Sequence, residues 1–217
     1  MGKILKLNLN RILRKVVDES VRVIKDGGVL IYPTDTIYGI GCNAFNMKAV
    51  RKIFRIKRRN EHSPMLVLVN NIKMLRELVD EITPIALTLS REFWPGPMTM
   101  IFKANKNIHR LLKSKEEKIG IRIPDNRFCL KLIDGCKTPI VSTSANISGG
   151  DTLNESDELI NIFGDKVDLF LDVGKLPSSP PSTVVDVSGK KLKIIREGAI
   201  PVEELKVYDN FELKKSW

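Results

Sequence analysis

The chain has 217 residues, 42% hydrophobic and 29% charged, an ordinary globular balance that suits one large domain or two small ones. Lys and Arg number 36 against 26 Asp and Glu, and this net +10 favours an anionic partner such as nucleotide, nucleic acid or acidic lipid, or serves solubility alone. No run of 18 apolar residues is present, the opening MGKILKLNLNRILRK lacks the features of a signal peptide, and three cysteines without a CxxC argue against a disulfide scaffold or zinc ribbon, so a reduced, cytoplasmic protein with no membrane partner is expected.

In chain order, residues 10–26 place Leu13, Val16, Val17, Val21 and Ile24 on one helical face and stop at Gly27-Gly28. Val29–Tyr32 reads as a buried strand ended by Pro33. Asn46 caps a helix to about Ile56, with Val50, Ile53 and Phe54 facing inward. Met65–Val69 is a strand, Asn70 or Asn71 starts a helix to about Val79, and Thr83-Pro84 starts another that ends before Pro95. Met98–Lys103 and Lys118–Ile123 are strands, Asp125 caps a helix to Gly135, and Pro139–Ser142 is a short strand. A helix over about 155–163, a strand near Leu169 and a hairpin of Ser182–Val187 with Lys191–Arg196 complete the pattern. Helices and strands alternate, yet some strands neighbour each other through hairpins. The fold class is therefore α/β with a mixed sheet, in a single domain over 10–200 with a polar tail at 201–217.

Four polar segments punctuated by Gly and Pro interrupt the apolar elements: PTDTIYGIG (33–41), KRRNEHSP (57–64), PGPMT (95–99) and STSANISGGDT (142–152). Loops on a rigid sheet are where binding groups gather, although each is also an acceptable turn. Residues 48–59 carry seven cations and no acid, and Lys48, Arg51, Lys52, Arg55 and Arg59 share a helical face. A solvated basic face explains most of this run. Lys57 and Arg59 differ, because they leave the helix where a point charge and a planar fork can converge on one anion. Ser144 and Asn146, among Ser142, Thr143 and Ser148, offer hydroxyl and amide donors that bind phosphate without adding charge. There is no GxxxxGK[ST] loop, no GxSxG elbow and no HExxH, and the Gly39-x-Gly41 pattern lies too far from its strand for a dinucleotide site.

In order, Tyr32–Gly41, Lys57-x-Arg59, Pro95–Thr99, Gly120–Pro124, Ser144-x-Asn146, Ser182–Asp186 and Arg196-x-Gly198-Ala199 resemble the landmarks of the YrdC-like family of threonylcarbamoyl-adenylate synthases, over roughly residues 10–200. The resemblance implies a three-layer YrdC/RibB-like fold with a twisted mixed sheet and a positive concave face, in the short form without a further domain. It implies an ATP-dependent nucleotidyltransferase that makes threonylcarbamoyl-adenylate and pyrophosphate from L-threonine, bicarbonate and ATP with Mg2+, for modification of tRNA by a downstream threonylcarbamoyl transferase. Carried over, Lys57 and Arg59 are the catalytic pair and hold ATP together with Thr99, Ser144, Asn146, Thr152 and Arg196. Thr36, Ser63, Arg122, Ser142 and Ser182 surround threonine, the Arg122 fork taking its carboxylate. The segment Asn60–Met65 and Asp35, where the family often has Glu, depart from the pattern. No protein ligand for a metal is implied. The alternatives are an RNA-binding module, for which weak tRNA binding at the basic face is the expectation, and a protein of the same fold with different chemistry.

Overall fold

The structure is a computed structural model that describes residues 2–208 and the strand at 212–213. Its strands are β1 (Lys3–Lys6), β2 (Leu30–Pro33), β3 (Tyr38–Asn43), β4 (Leu66–Leu68), β5 (Met98–Lys103), β6 (Lys118–Arg122), β7 (Ile140–Ser144), β8 (Leu169–Asp172), β9 (Thr183–Asp186), β10 (Lys193–Arg196) and β11 (Glu212–Leu213). They form one mixed sheet in the order β1-β8-β2-β3-β7-β4-β6-β5-β9-β10-β11. The helices are α1 (Arg14–Lys25), α2 (Met47–Ile56), α3 (Ile72–Leu78), α4 (Pro84–Phe93), α5 (Arg127–Cys136), α6 (Ser156–Phe163) and α7 (Val202–Leu205), with one 3-10 turn at Arg110–Leu112.

Alternation along the strands divides the core between two faces. Ile31, Ile40, Val67, Met100, Ile121 and Val141 share a cluster with Val50, Ile53 and Phe54 of α2 and Leu89 of α4. Leu30, Tyr32, Leu68, Ile140, Leu169 and Leu171 face the other way, onto Val16 and Ile24 of α1 and Phe128, Leu132 and Ile133 of α5. Each such fully buried apolar side chain contributes about 1.5–3 kcal/mol. Helices α1 and α5 pack together, and Gly135 permits the approach, since a Cβ there would lie 2.6 Å from Val21 Cγ2. This pair covers only the β8-β2-β3-β7-β4 half of its face. Beyond it, Thr99, Gly120 and Arg122 lie on the same side of the sheet, and among the described residues no cluster of apolar side chains covers them.

Helix starts follow the sequence closely where a side chain caps them. The side-chain oxygens of Asn46, Asn71 and Thr83 accept from the first-turn N–H groups of α2, α3 and α4. Four expectations need correction. α1 begins at Arg14 because Asn8 Oδ1 holds a turn through the Asn10 and Arg11 N–H groups, leaving Leu13 41% exposed. Asn126, not Asp125, caps α5, accepting from the Cys129 N–H at 3.0 Å. That helix runs past Gly135 to Cys136 and ends with Lys137 left-handed, at φ 55°. The segment 33–41 is a loop only as far as Ile37. From Tyr38 it is β3, antiparallel to β2 and β7. Its glycines serve close approach: a Cβ on Gly41 would sit 2.5 Å from Val141 O and 2.9 Å from the Tyr32 hydroxyl.

The unit is also wider than 10–200. β1 pairs in parallel with β8, Leu5 opposite Leu171, and Leu205 of α7 is fully buried, so residues on both sides of the expected limits belong to the sheet and core. Residues 209–211 and 214–217 of the expected 201–217 tail lie outside the described residues.

Candidate active site

The part of this sheet face not covered by α1 and α5 is built from small and polar residues in register. Ser142 of β7 lies opposite Gly41 of β3 and Leu66 of β4. A Cβ on Gly120 of β6 would touch Leu66 Cβ at 3.8 Å and Thr99 Cγ2 at 3.5 Å, which makes these three residues neighbours across the floor. Ser144 and Arg122 stand two positions further along β7 and β6, on the same side as Ser142 and Gly120.

Three side-chain groups ring this floor. The first is Lys57, which follows α2 and is 1% exposed. Its ammonium donates to Ser144 O (2.5 Å), Asn146 O (2.7 Å) and Asn146 Oδ1 (2.9 Å), and its own carbonyl accepts from the Ser148 N–H. Ser144 Oγ donates to the same Asn146 Oδ1, and Asn146 Nδ2 closes the loop onto Gly150 O. Lys57 is thus a clamp on the Ser144–Gly150 segment, with all three N–H groups engaged. Arg59 donates instead to Ser63 O and Pro64 O.

The second group joins Thr99 Oγ1 to Ser182 Oγ at 2.9 Å, and Arg196 Nη2 donates to Ser182 O at 2.7 Å. The third surrounds Arg122, 4% exposed, whose Nε donates to Gly96 O and whose Nη1 reaches Thr36 Oγ1 at 3.4 Å, while Nη2 pairs with the Asp35 carboxylate. Ser142, behind this group, is held by the buried Tyr32 hydroxyl at 2.9 Å.

Most residues singled out in the sequence therefore fall into these clusters. Ser63 and Thr152 do not: both are exposed, and among the described residues neither hydroxyl has a hydrogen-bond partner. Ser63 contributes its carbonyl alone. Sequence reasoning gave no role to Tyr32, to Asp35 as the partner of Arg122, or to the floor glycines. Their signal was only that Tyr32 and Asp35 bracket a turn between two runs otherwise apolar, and Asp35 and Arg122 lie 87 positions apart. A cleft of about 640 Å³ at the β1 edge, lined by Lys6, Leu7, Leu13 and Asp172, contains none of these groups.

Burial sets the electrostatics. It lowers Lys57 from the usual lysine range to about 7, with the nearby Arg59 charge adding to the effect, while the three oxygen acceptors favour the ammonium form. Burial also lowers Arg59 and Arg196. Among the described residues none of these three cations has a carboxylate within ion-pair distance, whereas Lys52 pairs with Asp168 and Arg51 with Glu61 on the outer face of α2. The buried thiols of Cys42 and Cys129 are pushed far above the usual range by desolvation, and Cys136 to about 11, so none is a ready nucleophile. Among the described residues no cluster of His, Cys, Asp and Glu can hold a metal ion, and no helix is long and apolar enough to cross a membrane.

These features define an α/β protein with one mixed sheet, one face of which is covered only in part by α1 and α5 and carries glycines, hydroxyls and buried cations on the remainder. The chain belongs to the Sua5/YciO/YrdC family, described as "Telomere recombination", whose pattern matches residues 22–198. It is 38% identical over 206 residues to a Methanocaldococcus jannaschii protein named as a candidate threonylcarbamoyl-AMP synthase, covering 94% of this chain and 97% of that one. It is 31% identical over 182 residues to the threonylcarbamoyl-AMP synthase of Pyrococcus abyssi, covering 84% of this chain and 54% of that longer protein. Among solved structures, P. abyssi Sua5 complexed with L-threonine superposes with a TM-score of 0.90 at 28% identity, covering 99% of this chain and 62% of that one. E. coli YciO superposes with a TM-score of 0.86 at 27% identity, covering 94% and 98%.

Proposed function

We propose that this chain is a threonylcarbamoyl-AMP synthase, joining L-threonine, bicarbonate and ATP into threonylcarbamoyl-adenylate with release of pyrophosphate. The observation that carries the reading is the pair of desolvated guanidinium groups, Arg59 and Arg196, without carboxylate partners, beside the Ser144–Gly150 segment that Lys57 clamps and a second polar cluster at Arg122. The curated relatives bear this enzyme's name, and the P. abyssi protein was solved with L-threonine.

The chemistry needs no side-chain nucleophile. The threonine amine nitrogen forms a bond to the carbon of bicarbonate, the C–OH bond breaks and water leaves, giving a carbamate. A carbamate oxygen then attacks the α-phosphorus of ATP, and the bond to pyrophosphate breaks. The protein's task is to hold three reactants in contact, worth up to about 7–11 kcal/mol in well-oriented systems. Arg122, Thr36, Ser142 and Ser182 line the place of the amino acid. Arg59 and Arg196 face the phosphates with the N–H groups their carbonyl partners leave over, and Lys57 fixes the Ser144–Asn146 segment beside them. The chain's own residues do not fit a resident metal, because the site is cationic and hydroxylic. Mg2+ enters as part of the substrate, on the ATP phosphates. Transfer of the product to tRNA belongs to a separate transferase.

The test is pyrophosphate release with each substrate left out in turn. Release that requires ATP, threonine and bicarbonate together is expected. Release without threonine would assign the fold a different ligase chemistry, and none at all beside tight, salt-resistant RNA binding would favour an RNA-binding module.

A further inference from the structure

We infer that Asp35 is the receptor for the ammonium group of the amino acid substrate, acting as one half of a pair with Arg122. The inference deepens the threonine reading above and rests on it. Among the described residues three buried side-chain polar atoms have no hydrogen-bond partner: Asp35 Oδ1, Arg122 Nη2 and Ser148 Oγ. Two of the three sit on a single ion pair, whose side chains are 11% and 5% exposed. Arg122 Nη2 is engaged with Asp35 Oδ2 as an ion pair, so Asp35 Oδ1 is the atom of this pair left without any partner, and a buried acceptor without a partner destabilises a fold and calls for an explanation.

The rest of the pair is firmly held. Arg122 is fixed by Gly96 O and Thr36 Oγ1, and Asp35 Oδ2 accepts from the Asp125 N–H at 3.2 Å. What is left over is one carboxylate oxygen beside guanidinium N–H groups. An α-amino acid zwitterion carries the matching charges on one carbon, with its carboxylate for Arg122 and its ammonium for Asp35. No other carboxylate contacts Arg122, Thr36, Ser142 or Ser182 among the described residues. Asp35 Oδ1 is sealed from water and the turn at 34–37 is pinned through Thr36 O by the Ser179 hydroxyl, so binding of the amino acid requires that turn to move.

This placement gives Asp35 a part in the first chemical step. The ammonium passes one proton to Oδ1 of the Asp35 carboxylate. The freed nitrogen lone pair forms the N–C bond to bicarbonate carbon, and the departing hydroxide takes a second nitrogen proton and leaves as water. The balance is ammonium, bicarbonate and carboxylate in, with carbamate, water and carboxylic acid out. Asp35 is thereby a specificity-determining residue as well, since it discriminates amino acids from hydroxy acids of the same shape.

The experiment is calorimetry of L-threonine and of 2,3-dihydroxybutanoate, which carries a hydroxyl in place of the ammonium, on the wild type, Asp35→Asn and Asp35→Glu. The wild type should prefer threonine by about tenfold or more, the loss expected for a charge-assisted hydrogen bond. Asp35→Asn should lose about that factor for threonine only, and Asp35→Glu should keep the preference. Equal loss of both ligands in Asp35→Asn would make Asp35 merely structural, and tighter threonine binding there would make it a plug on Arg122; either overturns the inference. Should Asp35→Asn fail to fold, an absent preference in the wild type and Asp35→Glu would overturn it as well. If the wild type binds neither ligand, the threonine reading itself falls with it, whereas threonine binding without amine discrimination removes the role of Asp35 alone.

Discussion

Replacing Lys57 by methionine separates the stability of the site from its chemistry. The ammonium's fall from 10.5 to about 7 corresponds to about 5 kcal/mol against holding the charge where it is. Methionine fills similar space without that charge. The loss on the other side is two backbone oxygens, Ser144 O and Asn146 O, left without the ammonium, at about 1–3 kcal/mol each. Asn146 Oδ1 keeps its bond from Ser144 Oγ. These terms largely offset each other, leaving about 3 kcal/mol at most, and at about 2–4 °C per kcal/mol for a chain of this size the melting temperature should move by less than about 12 °C. Catalysis should not survive so well. With the clamp gone, the Ser144–Gly150 segment is free to shift, and a displacement near 1 Å costs about 100-fold in rate. The assay is pyrophosphate release as a function of ATP concentration, with thermal unfolding of the same preparation. Wild-type turnover in Lys57→Met, or a fall in melting temperature beyond about 15 °C, would refute the reasoning.

The other expectations concern single groups. Because burial depresses Lys57, the unfolded chain binds more protons than the folded one between pH about 7 and 10.5, so wild-type stability should rise across that window relative to Lys57→Met in denaturant titrations. Arg59→Ala and Arg196→Ala should each weaken ATP binding by about 1.5–3 kcal/mol, read by calorimetry, with Arg58→Ala close to wild type. Arg122→Lys keeps charge but loses the Nε bond to Gly96 O, and should lower both threonine affinity and melting temperature while ATP affinity stays within about twofold. Neutralising Lys48 and Arg55, both exposed on α2, should abolish weak, salt-sensitive RNA binding and leave pyrophosphate release unchanged; Lys52 is excluded because it pairs with Asp168, whose Oδ2 also accepts from the Val29 N–H.

What the sequence disclosed and what it hid have physical causes. Asn46, Asn71 and Thr83 act through bonds to their own next turn, so local pattern suffices to find them. β3 was hidden because Gly39 and Gly41 are turn formers in isolation, and their reason for being glycine lies 100 residues away in Ser142 and Val141. The site followed the same division. Ser144 and Asn146 were legible as a pair and do bind each other. The direction of Lys57, into that pair rather than toward Arg59, depends on the end of β7 passing beside the end of α2, which no spacing along the chain reveals.

The partial cover that α1 and α5 give their face of the sheet sets a ceiling on how stable this protein can become. Under the helices, each larger apolar side chain that fits adds burial, and gradual improvement is open. Over the Thr99–Gly120–Ser142 floor the same change removes the space it would stabilise, since the Cβ of alanine at Gly120 would already rest on Leu66 and Thr99. One sheet thus carries two opposed demands, and variants selected for thermal endurance should collect substitutions on the covered half and leave the open half as it is.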